Sequence, residues 1–190
     1  MNPFSAFSTV LTFSSLNGST VRCATGSRTL VFFPEKGTDR GNLKDALMFL
    51  PTPEQEPSEN TISWPGEYHE GGIAIRGVGH NEGKQVSYVV EIDGTRCAVL
   101  SLPLQDWTDH ELEIAGDIDV LVLPSDGVKL AQKLVDEFDP RALLIVPGND
   151  GKIDADLLRA CGAQGKERTK EYKIKGSLPA EGRDIVVLAG

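Results

Sequence analysis

Histidine is scarce in this chain of 190 residues: there are three, His69, His80 and His110. None stands in HxH, HxxxH or HExxH spacing, so no ready-made set of imidazole ligands for a metal is written along the sequence. Cysteine is equally sparse. Cys23, Cys97 and Cys161 are odd in number, far apart and free of any CxxC pair. That excludes a disulfide framework and fits a reducing, cytoplasmic setting. Each lies among apolar or small residues and reads as a buried thiol rather than a reactive one. Positive charge is also short, since 19 Lys and Arg against 28 Asp and Glu leave a net charge of −9. Phosphate backbones and anionic membrane surfaces both need clustered cations, so neither nucleic acid nor membrane is an expected partner. Solubility is the simplest role for the charge. No apolar run nears the ~20 residues that span a bilayer. Residues 1–16 lack a basic n-region and a continuous apolar stretch, and so make a poor secretory signal.

The common catalytic templates are missing too. There is no GxSxG elbow, no Walker A loop, no GxGxxG after a strand and no SxxK. Gly71-Gly72 and Gly77-x-Gly79 read as bulges or close packing rather than as a phosphate cradle.

What is present is an ordinary globular composition, 39% apolar and 25% charged, of a length that suits one domain over residues 1–190. The first half reads as strands. Residues 9–13, 20–24 and 29–33 are β-branched and aromatic runs, punctuated by Asn17-Gly18 and Thr25-Gly26. Residues 45–50 form another apolar run of either type. Residues 51–60, PTPEQEPSEN, hold three prolines and three glutamates and predict an exposed loop. Short strands follow at 62–64 and 72–78, with Pro65-Gly66 as a turn between them. Residues 86–92 and 96–102 flank Asp93-Gly94 as a hairpin. The second half alternates. Residues 108–116 predict a short helix with a Thr108/Glu111 capping box. Residues 118–123 and 142–146 are buried strands. Residues 128–138 carry a helical apolar stripe that Pro140 closes, and residues 154–161 form a helix that ends at Gly162. Strands near 172–175 and 184–188 finish the chain. Hairpins first and strand–helix alternation later favour a layered α/β (α+β) sandwich over a doubly wound sheet.

Several strings in order are similar to the metallo-β-lactamase superfamily, in its branch of small sugar-lactonase-like metal-dependent hydrolases. They are LTFSSLNGST with RTLVFFP, WPGEYHEGGIAIRGV, YVVEIDGTRCAVLSL, GDIDVLVLPSDG and LVDEFDPRALLIVPGND, and the resemblance they carry, in order and spacing, extends over nearly the whole chain. The resemblance implies a four-layer αββα sandwich. It also implies a cluster of His and Asp at strand ends, holding one or two zinc-like ions that make hydroxide from bound water. The motif positions depart from that pattern throughout. Residues 51–56, PTPEQE, stand where a His-x-His-x-Asp-His run is expected. Leu102-Pro103-Leu104 stands where a Gly-Asp-Thr turn is expected, Pro147-Gly148-Asn149 where Pro-x-His is, and Asn17-Gly18-Ser19-Thr20 where Gly-His-Ser-Ser is. Of the histidines, His80 alone falls near a ligand position.

The expectation is therefore a superfamily member degenerate at its metal site, with no catalytic residues, no metal ligands and no cofactor. It would act by binding a ligand, a protein partner or a second copy of itself. The alternative is a hydrolase with a reduced Zn or Mn site. His80, Pro103, Asp117, Asp126 and Asn149 are the residues expected to line a remaining pocket, with Asp119 beside Asp117. Glu67, His69 and Glu70 read as a solvated turn, and His110 as a surface residue. Residues 51–60 are expected to fold over the former site, and the strand at 184–188 is a candidate for pairing with another chain.

Overall fold

The computed structural model describes residues 10–36, 38 and 41–189. The expectation made for residues 1–9, and the first residue of the strand at 9–13, lie outside these. The chain builds two facing sheets. The first contains β1 (Leu11–Asn17), β2 (Thr20–Ala24), β3 (Thr29–Phe32), β4 (Leu47–Phe49), β5 (Thr61–Ile62) and, from far along the chain, β13 (Glu171–Ile174). Their order is β13-β1-β2-β3-β4-β5. Asn17-Gly18 turns β1 back onto β2 as its composition predicts, with Gly18 at φ 51°.

The second sheet gathers β6 (Gly66–Glu70), β7 (Ile73–His80), β8 (Gln85–Ile92), β9 (Thr95–Val99), β10 (Val120–Pro124), β11 (Ala142–Val146), β12 (Arg168–Thr169) and β14 (Asp184–Leu188). Its order is β12-β14-β11-β10-β9-β8-β7-β6. The strands from β9 to β14 are parallel neighbours, whereas β6, β7, β8 and β9 form antiparallel pairs. Parallel pairing needs crossovers, and the helices supply them: α1 (Asp109–Ala115) precedes β10 and α2 (Val128–Phe138) joins β10 to β11. A third helix, α3 (Ala155–Ala160), follows β11.

Alternation along the strands divides the core. Phe13, Val21, Leu30, Phe32 and Phe49 of the first sheet meet Val86, Tyr88, Val90, Val99, Val122 and Leu144 of the second. The opposite face of the second sheet packs Leu121, Leu123, Leu143 and Ile145 against Ala131, Leu134, Phe138 and Leu157 of the helices. The two parallel strands buried on both faces, β10 and β11, are continuous apolar runs for this reason. Over the first sheet the outer layer is reduced, among the described residues, to a 3-10 turn, Gly41–Leu43. Its Leu43 covers Val31, Ala46 and Met48. No helix among the described residues is long and apolar enough to cross a membrane.

Two sequence expectations are corrected here. Residues 66–70, read as a turn and its solvated continuation, form β6, because Gly71-Gly72 (φ 53° and 86°) makes a hairpin that pairs them with β7. The strand at 184–188 is not an open edge: β14 pairs with β11 on one side and β12 on the other.

Candidate functional site

Strand direction decides which residues can meet. β7 runs parallel to β9 through the antiparallel β8, so β7, β9, β10 and β11 all end at the same end of the sandwich. The loops that leave them carry Pro103, Asp126 and Asn149. These three line one open pocket of about 620 Å³, together with Ser125, Asp150 and Asp154. The loop after β9 enters through a cis Leu102-Pro103 peptide.

The carboxylates of the pocket are already engaged with backbone. Asp126 Oδ2 accepts from Leu104 N at 2.8 Å, and Asp150 Oδ1 from Lys152 N at 2.9 Å. Asp154 Oδ1 caps α3 by accepting from Asp156 N at 2.7 Å, while Asp154 N donates to Ser125 Oγ at 2.9 Å. These bonds shape the loops and hold the acids apart. Among the described residues no three His, Cys, Asp or Glu side chains converge on a point where a cation could sit.

The other two candidates lie elsewhere. Asp117 is exposed before β10, at the far end of the sandwich, because it precedes a strand whose other end borders the pocket. Its neighbour Asp119 is a strap there. Asp119 Oδ2 accepts from Arg96 N at 2.9 Å, and Arg141 Nη1 lies 3.5 Å from its Oδ1. His80 does end β7 at the pocket's end, but its parity turns it onto the helical face of the sheet. There it is buried, edge-on to Trp107 with ring centroids 5.1 Å apart. His80 Nδ1 lies 3.5 Å from Glu111 Oε1, and Nε2 has no hydrogen-bond partner among the described residues. Burial pushes the His80 pKa below the usual histidine value, against the opposing pull of Glu111. Glu111 serves twice, since its Oε2 also accepts from Thr108 N at 2.7 Å in the capping box.

Sequence reading missed a polar network beside this histidine. Gln85 Nε2 donates to Ser101 Oγ at 2.9 Å and to Pro103 O at 2.8 Å. Ser101 Oγ and Ser87 Oγ are 3.0 Å apart, and Asn81 and Gln105 both donate to Gln85 Oε1. All three central residues are buried. The alternation of Gln85 and Ser87 with apolar Val86 and Tyr88 is the signal that was available.

Residues 51–60 leave β4 beside the same strand ends. Val86 N donates to Pro51 O at 2.9 Å, Glu54 N to Ser63 Oγ at 3.1 Å, and Trp64 Nε1 to Glu54 O at 2.8 Å. The buried Tyr88 hydroxyl reaches both Leu50 O (2.6 Å) and Ile62 O (3.0 Å). The segment is thus tied to β8 and β5, yet none of its residues lines the pocket.

Solved structures share this architecture. A candidate Zn-dependent hydrolase of the metallo-β-lactamase superfamily from Thermotoga maritima aligns with a TM-score of 0.70 at 18% identity, over 94% of this chain and 98% of its own. A candidate metal-dependent hydrolase from Parabacteroides distasonis gives 0.61 at 14% identity, over 94% and 93%. The chain has the metallo-β-lactamase fold. YhfI, a protein of the same fold from Bacillus subtilis, gives 0.60 at 8% identity, over 88% of this chain and 100% of that one. No protein-family model matches the sequence, and no curated protein is significantly similar to it. The donors at this end are the amides and hydroxyls of Gln85, Ser87, Ser101 and Asn149 and the carboxylates of Asp126, Asp150 and Asp154. Zinc-like ions prefer thiolate, imidazole and carboxylate converging on one point. Among the described residues the three carboxylates do not converge in that way, and the set does not fit such an ion.

Proposed function

We propose that this chain is a non-catalytic metallo-β-lactamase-fold protein that works by binding. The observation that carries this reading is the internal engagement of the polar groups at the strand ends. Gln85, Ser87 and Ser101 hydrogen-bond one another, and Asp126, Asp150 and Asp154 hold backbone N–H groups. A hydrolytic metal site needs side-chain ligands converging on one point with an open coordination position, and no three such side chains converge among the described residues. The pocket between the loops after β9, β10 and β11 remains as a place for a small polar ligand. The three free buried thiols suit a reducing compartment such as the cytoplasm. A reduced-site hydrolase is the second reading, favoured by the acids around that pocket and by His80 Nε2, buried at the same end without a hydrogen-bond partner among the described residues.

Elemental analysis of protein purified without chelators tests the choice, together with melting curves in the presence and absence of Zn²⁺ and Mn²⁺. The expected result is far less than one ion per chain and an unchanged melting temperature. About one ion per chain, with stabilisation of roughly 2–3 kcal/mol at a hundredfold excess over Kd, would restore the hydrolase.

A further inference from the structure

The second sheet has one edge, β6, that no described residue covers. Native sheets blunt their edges with very short strands, charged side chains (lysine above all), prolines or bulges, because an open edge templates pairing. Three of the four edges here follow that rule. β5 and β12 are two residues long, and β13 carries Lys173 with Lys170 and Lys175 on either side. β6 is the least protected of the four. Its five residues, Gly66-Glu67-Tyr68-His69-Glu70, hold no lysine or proline and run in unbroken register with β7, and Glu67 and Glu70 are the two acids on it. Trp64, 48% exposed, stands just before it.

The hairpin fixes which backbone groups point outward. Glu70 and Ile73 flank the two-residue Gly71-Gly72 turn and form its hydrogen-bonded pair. Antiparallel pairs alternate, so Tyr68 and Gly66 also bond inward to β7. The N–H and C=O of Glu67 and His69 are left facing out.

We propose that β6 is a homodimer surface and that its occupant is the β6 of a second copy, antiparallel about a two-fold axis at Tyr68. In that register Glu67 and His69 exchange both backbone hydrogen bonds with the second copy's His69 and Glu67. All the outward groups of the strand are used. The side chains agree with the backbone: Glu67 faces the second copy's His69, Tyr68 faces Tyr68, and Gly66 faces Glu70, so no like charges oppose. Shifting the axis to Glu67 would set two carboxylates face to face, and shifting it to His69 would leave Gly66 unpaired. Glu67 also pairs with Arg76 on its own sheet, which keeps its carboxylate on the face where His69 meets it.

Sedimentation equilibrium of the full chain from micromolar to submillimolar concentration tests this, with three variants of exposed His69. Wild type and His69→Gln should both dimerise, since neither sets a like charge against Glu67. His69→Glu should weaken the dimer by about tenfold, because it sets two carboxylate pairs face to face across the axis. His69→Pro removes an outward donor and should leave a monomer. A wild-type monomer throughout the range overturns the proposal. So do equal affinities for the Gln and Glu variants, or a His69→Pro dimer of unchanged affinity. Circular dichroism and melting temperature confirm that the Gln and Glu variants are folded.

Discussion

Tyr88→Phe removes one oxygen from the centre of the molecule and tests how the start of the 51–60 segment is held. The Tyr88 ring sits in the inter-sheet core, 5.0 Å from Phe49 and 6.0 Å from Phe33 between centroids. Phenylalanine keeps those contacts. What it loses is the hydroxyl that reaches Leu50 O and Ile62 O, on either side of the segment. Ile62 O keeps a second partner, Leu50 N at 2.9 Å. Leu50 O has no other partner among the described residues. The cost is therefore that of about one carbonyl left unsatisfied, roughly 1–3 kcal/mol. For a domain of this size it corresponds to a fall in melting temperature of about 2–12 °C. Urea unfolding at constant m-value measures it. Limited proteolysis within residues 51–60 reports whether the loss is local, and cleavage there should accelerate. The burial that raises the Tyr88 pKa keeps the phenol protonated at any working pH, so the bond is independent of pH. A Tyr88→Phe protein within about 0.5 kcal/mol of wild type, with unchanged proteolysis, would refute the assignment. The segment would then be held by its Pro51 and Glu54 backbone contacts alone.

Two further tests follow from the same geometry. His80 has a folded pKa below the unfolded value near 6.5, so the unfolded chain binds more protons in the window beneath it. Its contribution to stability is complete above about pH 6.5 and is lost as pH falls through the folded pKa, with a slope of at most about 1.4 kcal/mol per pH unit. Urea titrations between pH 7.5 and 5 should show this slope in wild type and a flatter one in His80→Gln; equal slopes would contradict it. Gly77→Ala would set a Cβ 2.7 Å from Trp64 O, a backbone atom that cannot swing aside. It should cost about 1–3 kcal/mol by chemical denaturation, whereas a cost near zero would mean that residues 64–65 are not packed on β7.

The packing at Gly77 also shows what kind of information was legible in the sequence. The reading of Gly77-x-Gly79 as close packing holds because Trp64 and Pro65 lie directly on these glycines. β2, α2, β11 and β14 have the bounds that composition and period predict, and the Thr108/Glu111 capping box forms. Each is set by residues close in sequence. β6 escaped because an edge strand exposed along its length has no apolar period to display. The glycine pair after it is the better clue: Gly71-Gly72 suits a two-residue hairpin turn as well as a bulge or close packing.

The candidate site failed in a different way. Pro103, Asp126 and Asn149 meet in one pocket, while Asp117 and His80 do not. Asp117 precedes β10 and Asp126 follows it, so a strand's length separates them whatever their chemistry suggests. His80 shares the right end but has the wrong parity. Residues 73 and 75 of β7 face the other sheet, and position 80 faces Trp107 and α1. A sequence can state end and face once strand direction and register are fixed, but it names neither until the partners are known. Buried polar atoms at the strand ends need partners. Gln85, Ser87 and Ser101 meet that demand by bonding one another, whereas His80 Nε2 on the same face finds no partner among the described residues.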